Sequence, residues 1–283
     1  MVDDFVPEIW SANLLQHLAT RLVFGSEVLT NRDYEGDIAQ AGDTVHITQM
    51  GDITVGSYTA ENDISVESIA DSTQALVIDQ AKYFAFDVDD VVRRQALPGW
   101  VAAVTQRAAY KFAQTLDSYL SNLMYVAAHN TANDLGDQTS DTSDNTAYGI
   151  LVQLRQKLVE AGCPMDGLWC VVPTGMYAQL LQDSRFVNAQ ASADGGAALH
   201  NGFIGRAAGF SIYESTTVPQ VTSGIYNVIA GSPVACTLAF QITELKAQER
   251  EKRFGQIVKG LQLYGAKVVQ PGALATAAVT IQA

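Results

Sequence analysis

Apolar positions in the first forty residues recur at helical spacing. Ile9, Trp10, Leu14, Leu15, Leu18 and Leu22 follow Pro7-Glu8, which predicts a short amphipathic helix closed by Val23-Phe24-Gly25. Thr30 to Asp37 is polar and turn-like. A terminal helix of this length does not hold alone in water, so it must pack on its own domain or on a neighbour.

From Gly42 to Val92 the period changes to two. Asp43 to Thr48 alternates, as do Ile53/Val55 and Phe84/Phe86/Val88. Between them lies a polar tip, Gly56 to Asp63, that carries Tyr58, Glu61 and Asp63. The pattern predicts a long hairpin whose apolar content is too thin for a core of its own. Two strands without a third layer are marginal, so the hairpin is expected to lie across a partner surface.

Leu97-Pro98-Gly99 breaks the sheet pattern and opens the strongest helical signal in the chain. Val101, Val104, Ala108, Phe112, Leu116, Tyr119, Leu123 and Val126 define an apolar face. Gln106, Arg107, Lys111, Gln114, Asp117, Ser118, Ser121 and Asn122 are assigned to the opposite, polar face. A helix from Gly99 to Ala128 would be roughly 45 Å long and would form the axis of the fold. His129 to Thr146, with aspartates at 134, 137, 141 and 144, is expected to be an exposed loop. A second helix is predicted over Tyr148 to Ala161, stopped by Gly162-Cys163-Pro164. Beyond it come a buried strand at Leu168 to Val172, a turn at Pro173 to Gly175 and a helix at Met176 to Leu181. Ala191 to Gly196 is small and flexible in composition. Further strands are predicted at Gly209 to Ser215, Tyr226 to Gly231, Leu238 to Ile242 and Gly255 to Leu263.

Composition sharpens this picture. The chain is 48% hydrophobic and only 17% charged, which excludes a disordered chain and hints that part of its surface is covered by other copies. A net charge of -13 argues against a protein that wraps nucleic acid by neutralising phosphates. The charge is polarised: residues 1–98 hold 17 acidic and 5 basic side chains, whereas 147–283 hold 8 acidic and 10 basic. An acidic front and a slightly basic back suit head-to-tail contact between copies. No apolar run approaches a membrane span, and Asp3-Asp4 stands where a signal peptide would carry Lys or Arg. Synthesis and retention in a cytoplasm are therefore expected.

Candidate chemistry is sparse. The sequence has no G-x-S-x-G elbow, no G-x-x-x-x-G-K-[ST] loop and no H-E-x-x-H helix. His17, His46, His129 and His200 lie far apart, and the spacing of Cys163, Cys170 and Cys236 fits neither a zinc site nor a redox motif. Asp87-Val88-Asp89-Asp90 and the aspartates of 134–144 miss the spacing of a calcium loop. Asn201 to Gly209 is Gly-rich without being a dinucleotide fingerprint, and it reads as tight turns that bring Arg206 toward a neighbour. Glu249-Arg250-Glu251-Lys252-Arg253 is the densest charge cluster and reads as one side of an ionic contact between copies. No catalytic residue, metal ligand or cofactor is assigned.

The order of these elements carries more information than any motif. An amphipathic arm, a protruding hairpin, a long helix, a small α/β unit and a returning strand pair resemble the major capsid protein of tailed bacteriophages. That is an α+β architecture, the Hong Kong 97-like fold, similar in flavour to the coat family of Salmonella short-tailed phages. The resemblance rests on Ala41 to Ile47, Val171 to Tyr177, Gly205 to Ser215 and Leu261 to Gly272. It implies an N-terminal arm at 1–42, an extended loop with flanking strands at 43–98 and a peripheral domain with a spine helix at 99–165. An axial domain at 166–235 and returning peripheral strands at 236–283 complete the division.

It further implies a structural protein that self-assembles into hexamers and pentamers of an icosahedral virion shell. Such a shell encloses double-stranded DNA without sequence-specific binding and is assembled in the host cytoplasm. A separate scaffolding protein, a portal protein and a decoration protein are the implied partners. Tyr58, Glu61, Asp63, Arg206, Arg250, Lys252 and Arg253 are the expected contacts between subunits. Covalent crosslinking is not assigned, because Lys82 is the only lysine before Lys111. The alternatives are a nanocompartment shell of the encapsulin type, enclosing cargo enzymes, and an α/β enzyme built on residues 166–235.

Overall fold

The structure is a computed structural model, and it describes residues 22–33, 44–50, 57, 71–89, 100–140, 146–182, 205–222, 224–249 and 255–281. The predicted N-terminal helix up to Arg21, the hairpin tip, the small-residue stretch at 191–196 and the cluster at 250–253 lie outside these residues.

A helix of 30 residues, α1 (Trp100–His129), organises the molecule. The predicted helix is present, but its buried face is rotated from the expected one. Ala109, Phe112, Ala113, Leu116, Leu120, Met124 and Ala128 are buried, and with them Asp117 and Ser121, which the periodicity had assigned to solvent. Val126, expected inside, is 55% exposed. The reason is twofold. Steps of four residues drift around a helix of 3.6 residues per turn. In addition, Asp117 and Ser121 find buried partners, the Ser121 hydroxyl donating to the Thr217 carbonyl at 2.9 Å.

α1 is shared by two sheets. The larger, seven-stranded sheet contains β4 (Asp134–Ser140), β5 (Trp169–Val172), β6 (Arg206–Ala207), β7 (Phe210–Glu214), β8 (Gln220–Thr222), β9 (Ile225–Gly231) and β12 (Leu274–Ile281). Its order is β4-β12-β9-β5-β7-β6, with β8 paired to β9. Trp169, Val171, Ile229 and Leu274 point toward α1 and join its cluster. Cys170, Val172, Val228, Ala230, Ala275, Ala277 and Val279 point the other way, onto α2 (Ala147–Glu160) and α3 (Thr174–Gln182). A strand covered on both faces has no polar alternation, which is why Trp169-Cys170-Val171-Val172 reads as a continuous apolar run. α2 begins at Thr146, whose hydroxyl accepts from the Gly149 N–H at 3.2 Å. It ends with the Cys163 N–H bonded to the Leu158 carbonyl and the Gly162 N–H to the Val159 carbonyl, the paired closure that the Gly162-Cys163-Pro164 signal implied.

Two parts of this sheet differ from the expectation or escaped it. Residues 134–140 form the edge strand β4, parallel to β12, where a loop was expected. An edge strand with one flank in solvent tolerates Asp134, Gly136 and Asp137, so its sequence looks like a loop. β12 lies within 236–283, expected as returning strands, but was not delimited, because Leu274-Ala-Thr-Ala-Ala-Val-Thr-Ile is short and Ala-rich; it is hydrogen-bonded on both sides, to β4 and β9. Backbone pairing and burial outweigh the weak strand propensity of alanine.

The smaller sheet has three strands in the order β10-β11-β3, namely β10 (Cys236–Glu249), β11 (Gly255–Val268) and β3 (Gln80–Asp89). Phe84 packs on Phe112 of α1 with ring centroids 5.2 Å apart, and Tyr264 meets Tyr119 edge-on at 5.3 Å. α1 thus fills the space between the two sheets.

Candidate assembly surfaces

Two strands stand apart from both sheets. β1 (Thr44–Met50) and β2 (Asp71–Val77) pair antiparallel and form the root of the predicted hairpin. Ile47, Leu76 and Ile78 are buried against Ala239 and Leu263, while Thr44, His46, Thr73, Ala75 and Val77 face solvent. One face of the root therefore lies on its own chain. The contact depends on Gly265, where a Cβ would sit 2.3 Å from the Val77 carbonyl oxygen and 3.0 Å from the Ile78 Cα. From that crossing Gln74 reaches the Val269 carbonyl, whereas β3 runs back along β11 as far as Gly255. The two ribbons leave Gly265 toward opposite ends of β11. Tyr58, Glu61 and Asp63 belong to the part of the hairpin outside the described residues.

The outward face of the smaller sheet is defined by register. Phe84 and Phe86 point to the α1 side, so Tyr83, Ala85 and Asp87 point outward, opposite Leu261, Lys259 and Ile257 of β11. Lys259 in turn stands opposite Lys246 of β10, and its ammonium donates to Gln248 Oε1 at 3.2 Å. Tyr83 is 78% exposed. An aromatic beside two facing lysines is an uncommon patch on a chain of net charge -13. Like charges placed directly across a ladder disfavour it unless something else compensates. Arg250, Lys252 and Arg253 follow β10 and lie outside the described residues.

Arg206 is the one expected contact residue among those described. It is exposed on β6 and pairs with Ser211 of β7. The connecting residues Ala208 and Gly209 have φ of 50° and 83°, both left-handed, as a two-residue hairpin turn of type I′ requires. The Arg155 guanidinium of α2 lies over Gly209, and a Cβ there would meet its Cζ at 2.8 Å.

A fourth surface, missed by the sequence reading, is the anchor of the N-terminal segment. Leu22, Phe24 and Leu29 are buried in the α1 cluster. Asn31 exchanges backbone hydrogen bonds of 2.9 Å with β10, its N–H donating to the Cys236 carbonyl and its carbonyl accepting from Leu238. Arg32 stacks over Phe240 at 4.8 Å and donates to the Gly25 carbonyl. The Asp117 carboxylate of α1 accepts from the Val23 N–H at 2.9 Å and the Gly25 N–H at 3.0 Å. An aspartate at a helical position that the pattern calls polar is the one signal the sequence held, and it does not distinguish a buried carboxylate from a solvated one.

Groups suited to catalysis are not brought together among the described residues. His129 meets Asp134 at 2.6 Å on an exposed surface, and His46 is exposed on β1. Burial pushes the Cys236 thiol up to about 12 and Cys170 higher still, so neither thiol ionises near neutrality. Cys163 is also raised, by burial. No group of three or more metal-ligating side chains occurs among the described residues, and no described helix is long and apolar enough to cross a membrane.

Comparison with known proteins agrees with the architecture. No curated protein sequence matches the chain. A solved structure from Mycobacterium phage Che8 superposes with a TM-score of 0.69 at 26% identity, covering 90% of each chain. The capsid of cyanophage P-SCSP1u gives a TM-score of 0.68 at 12% identity over 87% of this chain and 85% of that one. A virus-like particle from Pyrococcus furiosus gives 0.58 at 13% identity over 98% of this chain and 100% of that one. Residues 70–277 match the family described as phage capsid protein. With a central helix between two sheets and a hairpin rooted outside both, the chain belongs to this phage capsid protein family, as a tailed-bacteriophage major capsid protein of the Hong Kong 97-like fold.

Proposed function

We propose that copies of this chain assemble as hexamers and pentamers into a closed icosahedral shell that encloses double-stranded DNA. The observation that carries the proposal is the opposed direction of the two ribbons at Gly265. The β1–β2 root leads away from the outward face bearing Tyr83, Lys246 and Lys259, and in this reading a second copy brings its hairpin onto that face. Residues 51–71 hold five acidic side chains and no basic one, which complements the lysines and the adjoining Arg250, Lys252 and Arg253. In this reading Tyr58, Glu61 and Asp63 touch the neighbouring sheet, and Arg206 faces the copies gathered around a symmetry axis. In this reading the axial part is the seven-stranded sheet with α2 and α3, which takes β4, α2 and β12 from the peripheral bounds of 99–165 and 236–283. The peripheral part comprises α1 and the smaller sheet.

The chain acts by assembly, not turnover, with a scaffolding protein, a portal protein and a decoration protein as partners. Assembly takes place in the host cytoplasm and the product resides in the virion. The near-complete overlap with the Pyrococcus virus-like particle favours a second reading, a nanocompartment shell enclosing protein cargo. Expression with the neighbouring genes, followed by electron microscopy and nucleic-acid analysis of purified particles, separates the two. DNA-filled particles with portal vertices support the first, DNA-free shells holding an enzyme support the second, and monomers at every concentration overturn both. Charge reversal at Arg250, Lys252 and Arg253 is expected to impair shell formation and leave the monomer folded.

A further inference from the structure

We propose that Asp166-Gly167 is a self-modification site, at which the chain converts aspartate to isoaspartate without an enzyme. The step needs an aspartyl carboxyl, the main-chain nitrogen of the next residue, and freedom for the two to meet. Asp166 and Gly167 lie in the loop 161–167 between α2 and β5, where every residue is exposed except half-buried Cys163. Of the aspartates among the described residues, Asp166 alone precedes a glycine, so no side chain on the following residue stands beside the attacking nitrogen. Gly167 has a φ of 72°, and glycine takes negative φ as readily, so the peptide plane between the two residues can swing. A Cβ at 167 would meet only Pro233, at 3.8 Å, which leaves room for that motion. Among the described residues no hydrogen bond engages the Gly167 N–H, whereas the Gly136 N–H is held by Asp134 Oδ1 at 2.9 Å. The exposed Asp166 carboxylate likewise has no hydrogen bond or ion pair among them.

The chemistry closes on itself. The Gly167 nitrogen bonds to Asp166 Cγ, the nitrogen loses its proton, the protonated carboxyl loses its hydroxyl, and one water leaves. A five-membered succinimide results. Water then adds to one of the two ring carbonyls and breaks its bond to nitrogen. Opening at Cγ restores aspartate. Opening at the original main-chain carbon leaves the chain running through Cβ and Cγ, with the α-carboxylate as a side arm. No oxidant or cofactor enters, and mass and net charge are unchanged. The main chain gains one carbon immediately before Leu168, which is buried where β5 begins. The reaction does not depend on how copies pack in a shell.

Prolonged incubation of the full unassembled chain at neutral pH tests it. Electron-transfer fragmentation of proteolytic peptides separates isoaspartate from aspartate at equal mass, and it distinguishes position 166 from the Asp194-Gly195 and Asn201-Gly202 pairs. Isoaspartate at 166 is expected to exceed that at Asp137 by about tenfold or more, because the β4 pairing with β12 must open before a nitrogen there is free to attack. Asp166→Asn, which expels ammonia in place of water, is expected to convert faster than wild type. Position 166 is exposed, so the variant should keep the fold. The proposal is overturned if 166 carries no more isoaspartate than Asp137, or if Asp166→Asn converts no faster than wild type.

Discussion

Gly265 offers the sharpest test of how the hairpin is attached. Replacing it with alanine puts a methyl carbon 2.3 Å from the Val77 carbonyl oxygen and 3.0 Å from the Ile78 Cα. Both neighbours are backbone, so no side chain can rotate away, and relief requires the root to move by about 1 Å. β11 cannot yield instead, because Gly265 is paired with Ala239 of β10. Overpacking of this kind costs ~1–3 kcal/mol. Lifting the root also bares part of Ile47, Leu76 and Ile78, which are worth ~1.5–3 kcal/mol each when fully buried. The expected loss is about 3 kcal/mol. Denaturant unfolding of the unassembled chain measures it, and hydrogen exchange should place the loosening in β1 and β2. Gly272→Ala is the control, since a Cβ there meets nothing within 4 Å and should change stability by less than ~0.5 kcal/mol. If Gly265→Ala matches wild type within ~0.5 kcal/mol and β1 and β2 exchange as before, the crossing is not what holds the hairpin.

Three further outcomes are expected. Thr146→Ala removes the hydroxyl that accepts from Gly149 and should cost ~1 kcal/mol in denaturant unfolding, with Thr146→Ser close to wild type. Ala208→Asn should stabilise the chain by ~0.5–1 kcal/mol by relieving a left-handed alanine, and Gly209→Ala should destabilise it by more than that, because its φ of 83° strains any residue that carries a Cβ. At pH 8 a disulfide reagent should modify only half-buried Cys163 in the native chain, while Cys170 and Cys236 react only on unfolding.

What the sequence made legible was whatever one face of one element decides. α1 was located to within a residue at each end because 30 residues of helical spacing outweigh any local irregularity. The β5 run and the closure of α2 at Gly162 were equally plain. What escaped depends on partners distant in the chain. β12 is a strand because β4 and β9 flank it, and β4 is one because β12 does. Neither holds a pattern that marks it alone. The buried side of α1 was misjudged at Asp117 for the same reason, since the N–H groups that satisfy it come from residues 23 and 25. Of the expected contact residues only Arg206 falls among those described. The other six are placed by the charge pattern and the resemblance, and their test is assembly itself.

The arrangement at β11 explains why so polar a hairpin is tolerated at all. β11 gives an inner side chain to α1 through Tyr264 and an outer one to the hairpin root through Leu263. Toward Gly255, Tyr83, Lys246 and Lys259 are exposed. Lysines directly opposed across a ladder repel each other, and the Tyr83 ring is exposed. They become favourable when an acidic ribbon from another molecule supplies counter-charge and apolar cover together. A contact of this head-to-tail kind uses two different patches, so it propagates into rings or sheets and does not stop at a dimer. Because exposed pairs are screened within about 8 Å at physiological ionic strength, the proposed contact should weaken steeply with salt if the lysines drive it. If buried Tyr83 area drives it, salt should leave it unchanged. Shell yield across a salt series, repeated with Tyr83→Ala, distinguishes these, and the charge polarity of the chain favours the first.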